Sequence, residues 1–181
     1  MENFPEIKTE LDIISRKLEA FAKGIKFTPE NEEGFTLDKF QENLLDGKKV
    51  SGIYLFEILK KDDSQDFTAW MDEFRQKWES NLVKNRPIIR KISVKKLSNH
   101  TDKWIPFYIG KSKNIKYRVN QHITLKPDGS TYALKLKAMG NLLGEKFRLS
   151  YLIIDTKHYD IVMPKIEKEL RDFYTPIIGK Q

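Results

Sequence analysis

Arg118 and His122 stand four residues apart in a stretch, Ser112 to Ile123, whose apolar Ile115, Val119 and Ile123 recur at helical spacing. Residues four apart on a helix leave it in the same direction, which a joint site requires and a random pair need not satisfy. Arginine offers a planar fork of donors suited to a phosphate, a geometry that a flexible lysine does not reproduce. Tyr54 and Tyr108 lie in stretches dense in β-branched and aromatic residues. A tyrosine can take a proton from water, although a free phenol titrates near about 10, so cations such as Lys111 or Arg118 must favour its phenolate. Read alone, each residue also has a plain structural role. The tyrosines are ordinary strand aromatics, and His122 shares a helix face with Ile115 and Val119 as a packing residue would. Glu167 and Glu169 flank the apolar face of Ile166, Leu170 and Phe173 on opposite sides, so periodicity does not choose between them. His100 and His158 have no partner pattern and read as surface residues.

Charge narrows the class of ligand. Lys and Arg number 33 against 26 Asp and Glu, and the surplus is concentrated. Between Lys84 and Lys126 there are twelve basic residues and one acid, Asp102, whereas residues 1–46 hold eleven acids and six bases. A localised cationic stripe is what a polyphosphate backbone attracts, by neutralisation and counterion release. A solvated lysine-rich surface accounts for the same composition. The absence of cysteine from the 181 residues removes disulfides, thiolate metal sites and cysteine nucleophiles, and fits a reducing cytoplasm. No apolar run approaches the roughly 18 to 20 residues needed to span a bilayer, so a soluble intracellular protein without a membrane partner is expected.

The elements that must position these residues can be read in outline. Ile7, Leu11, Ile14, Leu18 and Phe21 predict an amphipathic helix over Pro5 to Lys23, closed by Gly24. A loop from Phe27 to Phe35 leads to a short second helix over Thr36 to Leu45, and together these form an N-terminal helical extension, residues 1–46. Lys49 to Leu59 predicts a strand. Asp66 to Leu82 predicts a helix whose aromatic stripe, Phe67, Trp70, Phe74 and Trp78, is best explained by core packing. Further strands are expected over Ile88 to Leu97, Trp104 to Gly110 and Phe147 to Asp155. Helices are expected over Ser112 to Ile123 with Ser112 as N-cap, over Tyr132 to Leu143, and over Val162 to Tyr174 closed by Pro176. The fold class is α+β, one compact core with an extension.

Two tripeptides carry a family resemblance: Gly52-Ile53-Tyr54 in the first of these strands and Tyr108-Ile109-Gly110 at the end of a later one. Lys111 follows the second at once, Arg118 stands ten residues past Tyr108, and His122 four beyond that. Glu167 precedes Pro176 by nine residues, with Leu170 between. In this order and spacing the chain resembles the GIY-YIG nucleases over residues 49–179. Two features depart from the family pattern. Tyr54 and Tyr108 are 54 positions apart, where family members have about a dozen intervening residues, which implies an inserted helix and strand over about residues 62–101. Gly179 stands where many members have an asparagine, which puts one supporting hydrogen bond in doubt.

The resemblance implies a small core of mostly antiparallel sheet flanked by helices, residues 47–181, that hydrolyses phosphodiester bonds. Such hydrolysis needs a deprotonated water, neutralised phosphate charge and a stabilised leaving oxygen. By resemblance, Glu167 is the sole protein ligand of Mg²⁺, for which Mn²⁺ can substitute, an ion that keeps several of its waters. Arg118 clamps the phosphate, Tyr54 is the base, Tyr108 helps orient the water, His122 bonds beside them and Lys111 touches phosphate. Which tyrosine is the base stays open. The expected partner is duplex DNA cut in a sequence-directed, restriction-like manner. Arg90, Lys91, Lys95 and Lys96 of the basic strand, with Lys113 and Lys116, are the candidate DNA contacts. A structure-directed repair or recombination nuclease and a DNA-binding module without turnover are the alternatives. A homodimer and a protein contact through the N-terminal helices remain open.

Overall fold

A computed structural model describes residues 4–40, 49–62 and 64–179. In chain order the elements are helix Phe4–Gly24 (α1), strands Phe35–Thr36 (β1) and Gly52–Leu59 (β2), helix Phe67–Glu79 (α2), strand Ile88–Ile89 (β3), helix Lys91–Lys96 (α3), strand Trp104–Ser112 (β4), helix Ile115–Thr124 (α4), strand Lys146–Ile153 (β5), helix Tyr159–Tyr174 (α5) and strand Ile178–Gly179 (β6). The fold is α+β. One antiparallel sheet runs β1-β5-β2-β4, and β3 pairs with β6 in a second, two-stranded sheet.

β2 is apolar at nearly every position because it is central and covered on both faces. Ile53 and Leu55 join Ile109 of β4 on one face, against Met163, Ile166 and Leu170 of α5 and Ala22 at the end of α1. Tyr54, Phe56 and Ile58 turn to the other face, where α2 and α4 pack. Asp66 caps α2 by accepting the amides of Thr68 and Ala69. The aromatic stripe is core, as its spacing predicts: Phe74 and Trp78 stack on each other and meet Phe107 edge-on at 5.8 and 5.6 Å.

A β-bulge decides where Tyr108 points. Phe56 pairs with Tyr108 and Glu57 with Pro106, so Phe107 is the extra residue. Phe107 and Tyr108 therefore pack into the same core although they are consecutive, and Tyr108 ends on the face that carries Tyr54.

Three expected elements differ. Thr36 belongs to a strand, paired with Lys146, and the rest of the expected second helix falls partly on residues 41–45, outside the described residues. Leu37 and Phe40 are buried, so this segment adds an edge strand and two apolar side chains to the core. The expected basic strand over Ile88 to Leu97 is a strand only at Ile88–Ile89; Lys91–Lys96 is helical, with Ser93 and Leu97, one turn apart, on the buried side. The expected helix over Tyr132 to Leu143 is instead two 3₁₀ turns, Leu136–Ala138 and Gly140–Leu142, with Lys135 in the left-handed region at φ 56°. Smaller shifts affect caps and ends. β4 continues through Ser112, which pairs with Gly52, so Asn114 rather than Ser112 caps α4, accepting the Tyr117 amide at 3.2 Å. No described helix is long and apolar enough to cross a membrane.

Candidate active site

β2 brings Tyr54, β4 brings Tyr108 and Lys111, α4 brings Arg118 and His122, and α5 brings Glu167 to one end of the sheet. All but His122 line a single cleft of about 350 Å³, and His122 is fully buried behind Tyr54. The six residues expected from the sequence are thus neighbours, although they come from four elements and span positions 54 to 167.

Local geometry explains several residue types. Tyr54 lies directly across the ladder from Gly110, and a Cβ on Gly110 would collide with the Tyr54 hydroxyl. The glycine is what lets the phenol lie across β4. A Cβ on Gly52 would likewise run into the Leu152 carbonyl oxygen. Tyr54 and Tyr108 hold their ring centroids 6.4 Å apart, and His122 sits 4.9 Å from the Tyr108 ring.

His122 is fixed at both nitrogens. Nδ1 accepts the Leu134 amide at 3.0 Å, so Nε2 carries the proton of the neutral ring and donates it to Tyr54 Oη at 2.8 Å. Burial, helped by the Arg118 charge, holds the imidazole pKa well below its usual value. A neutral donor aimed at the phenolic oxygen favours the phenolate, because the hydrogen bond it gives is stronger to a charged oxygen than to a neutral one.

Arg118 pulls both tyrosine pKa values down, as expected, but burial outweighs it. Burial, reinforced by the neighbouring Tyr108, pushes Tyr54 well above its ordinary value, and Arg118 only partly offsets this. Burial also pushes Tyr108 up to about 12, against a smaller opposing pull from Arg118. Lys111 is turned to a carboxylate instead. Its ammonium lies 3.6 Å from a Glu167 carboxylate oxygen, so much of its field is cancelled there. The protein's own cations leave both phenols protonated at neutral pH.

Arg118 is held for use as a fork. Its two terminal nitrogens donate to Gln121 Oε1 at 2.9 Å and to the Tyr132 carbonyl at 2.6 Å, which fixes the plane while leaving further N–H donors for an anion in the cleft. Glu167 and Glu169 differ in position. Glu169 is ion-paired with Lys165 at 2.8 Å, whereas Glu167 lines the cleft.

The expected DNA contacts are dispersed. Lys91, Lys95 and Lys96 are exposed on or beside α3 and do not line the cleft. Arg90, at the N-cap of α3, turns instead onto β6: its side chain crosses Gly179 and reaches toward the Pro176 carbonyl at 3.5 Å. Gly179 itself lines the cleft, so arginine atoms from the inserted segment cover the position where an asparagine was expected. Lys113 is exposed and ion-paired with Asp160 at 2.7 Å, and Lys116 is half-buried on α4. His158 is exposed, while His100 is half-buried with Nε2 3.3 Å from the Trp104 carbonyl.

Four further residues contribute to the cleft or to the groups that line it. Arg171, one helical turn after Glu167, also lines the cleft, and its spacing was readable in the sequence. Gln121 was readable in the same way from Arg118. Tyr132 lines the cleft as well as giving its carbonyl to Arg118, and Leu134 contributes its main-chain amide, for which no residue type gives a signal. No protein-family model, curated protein or solved structure matches the chain.

Proposed function

We propose that the chain is a metal-dependent DNA endonuclease of the GIY-YIG type. The observation that carries this reading is the single cleft in which two tyrosines, a braced arginine and a carboxylate meet from four elements. Ordinary core packing gives no reason for Arg118, Glu167 and Arg171 to share a cleft floored by buried phenols.

Glu167 fits a hard divalent cation. It is the carboxylate among the residues that line the cleft, so it would hold the ion while water and phosphate oxygens supply the rest of the shell. Mg²⁺ tolerates that pattern, with Mn²⁺ as substitute. When bound, the cation supplies positive charge that lowers the pKa of nearby water and phenol and offsets charge on the phosphate.

The chain's own residues divide the remaining work. Arg118 binds the scissile phosphate through the donors that Gln121 and Tyr132 do not occupy. Tyr54 first loses its own proton to solvent, leaving a phenolate steadied by the His122 Nε2–H, and that phenolate then takes a proton at Oη from the attacking water to become the neutral phenol. Tyr108, on the same face after the bulge, positions that water. Lys111 and Arg171 add positive charge at the rim. The exposed Lys91 and Lys95, one helical turn apart on α3, present a basic face to the phosphates of flanking DNA, a contact that holds the duplex without reading it, and the sequence-directed reading rests on the family resemblance.

The reading is tested by offering supercoiled plasmid, linear duplex and branched DNA with Mg²⁺, Mn²⁺ or EDTA. Discrete metal-dependent fragments from duplex support the sequence-directed enzyme. Cutting of branched DNA alone supports structure-directed cleavage, and binding without any cutting removes the enzyme reading.

A further inference from the structure

α1 is 21 residues long, about 30 Å, yet only its C-terminal turns are covered. Ala22 is buried and Leu18 half-buried against the α5 side of the sheet. The large apolar residues before them face solvent: Phe4 is 70% exposed, Ile7 50%, Leu11 57% and Ile14 48%. A contiguous apolar stripe of this kind marks an interaction surface, and a helical end with nothing packed on it is marginal in water.

The spacing of the stripe identifies the kind of partner. Phe4, Ile7, Leu11, Ile14, Leu18 and Phe21 alternate three and four residues apart without a break. That is the a and d seam of a two-helix coiled coil, narrower than the face a helix shows to a globular core. The charges flanking the seam are arranged for self-pairing. Glu10 and Lys17 occupy successive g positions and Lys8 and Ser15 successive e positions. In an antiparallel pair, g faces g and e faces e, so Glu10 meets Lys17 twice by symmetry while Lys8 meets the uncharged Ser15. A parallel pair would not set Glu10 against Lys17.

We infer that α1 pairs antiparallel with α1 of a second copy of this chain, in a two-fold dimer whose layers are Phe4 on Phe21, Ile7 on Leu18 and Leu11 on Ile14. Each contact recurs once across the two-fold axis, as an isologous interface demands. The seam lies on α1, apart from every residue of the cleft, and the inference does not depend on what the cleft does.

Sedimentation velocity over a range of protein concentrations tests it, on the full chain and without DNA. The wild type should sediment as a dimer that dissociates on dilution. Leu11→Glu should be monomeric with unchanged near-UV circular dichroism, since this side chain touches no core. Glu10→Lys and Lys17→Glu should each weaken the dimer by about tenfold, and the double charge swap should restore it. A wild type that stays monomeric up to its solubility limit overturns the dimer, and so does a monomer that co-sediments with anionic phospholipid vesicles, which would assign the stripe to a lipid surface. A dimer indifferent to all three charge variants overturns the antiparallel pairing.

Discussion

Tyr54 Oη lies 2.8 Å from His122 Nε2, while the far nitrogen of the same imidazole accepts the Leu134 amide at 3.0 Å. With Nδ1 occupied as an acceptor and burial keeping the ring neutral, His122 has no lone pair to offer Tyr54. It acts as a fixed donor that positions the phenol, which leaves Tyr54 as the group to exchange a proton with water under the proposed function.

His122→Gln should therefore lower turnover by tenfold or more while leaving DNA affinity within about twofold. Its effect on stability has a definite sign. The folded-state pKa is depressed, so below the unfolded value of about 6.5 the unfolded chain takes up a proton that the native ring refuses. The native state then loses up to about 1.4 kcal/mol per pH unit as pH falls. Urea denaturation between pH 7 and pH 5 should show a shallower loss in His122→Gln than in the wild type, and equal slopes would refute this account of the ring.

Both phenols start protonated, Tyr108 with its pKa pushed up to about 12 and Tyr54 well above its ordinary value. Catalysis through a phenolate should then gain from alkaline conditions, with kcat rising steeply between pH 6 and pH 8.5 at saturating Mg²⁺. Tyr54→Phe should abolish that rise together with most activity. A flat profile over the same range would point to a base other than either tyrosine.

Arg118 depends on its planar fork, one arm on Gln121 and the other on the Tyr132 carbonyl. Lysine cannot reach both anchors and a phosphate together, so Arg118→Lys should fall nearly as far as Arg118→Ala, on the order of 100-fold or more in kcat. Near-complete activity in the lysine variant would show that charge alone suffices.

Gly110 has no room for a side chain beneath the Tyr54 hydroxyl. Gly110→Ala should leave a folded protein in which Tyr54 is displaced, with turnover reduced at least tenfold and the loss of the 2.8 Å bond visible in the His122 ring shifts by NMR. Unchanged activity with unchanged shifts would mean that β4 yields easily here.

The sequence was legible where local pattern and tertiary environment agree. The aromatic stripe of α2, the Asp66 cap and the apolar β2 follow directly from spacing, and the two tripeptides fall on adjacent strands, β2 and β4. It misled where tertiary contacts outweigh propensity. Ile88 to Leu97 is rich in β-branched residues, yet Ser93 and Leu97 are buried together only if the segment coils. From Tyr132 to Leu143 the Tyr132 carbonyl turns to Arg118 and the Leu134 amide to His122, groups that a regular helix would align along its own axis. The bulge at Phe107 was equally hidden, since nothing in Pro106-Phe107-Tyr108 states that two consecutive aromatics share a face. For the cleft, side-chain contributors were readable by spacing, Arg171 included, and main-chain contributors were not.

Under the proposed function, Glu167 holds the cation on which DNA cleavage depends. Cleavage of supercoiled plasmid in Mg²⁺ should be measured for the wild type and for Glu167→Gln, with circular dichroism confirming that both are folded and a mobility-shift assay in EDTA confirming that both bind DNA. The account predicts metal-dependent nicking or linearisation by the wild type and a loss of 1,000-fold or more in the variant, with DNA binding retained. Glu167→Gln cutting at the wild-type rate, or a folded, DNA-binding wild type that cuts neither duplex nor branched substrate with any divalent ion, would contradict it.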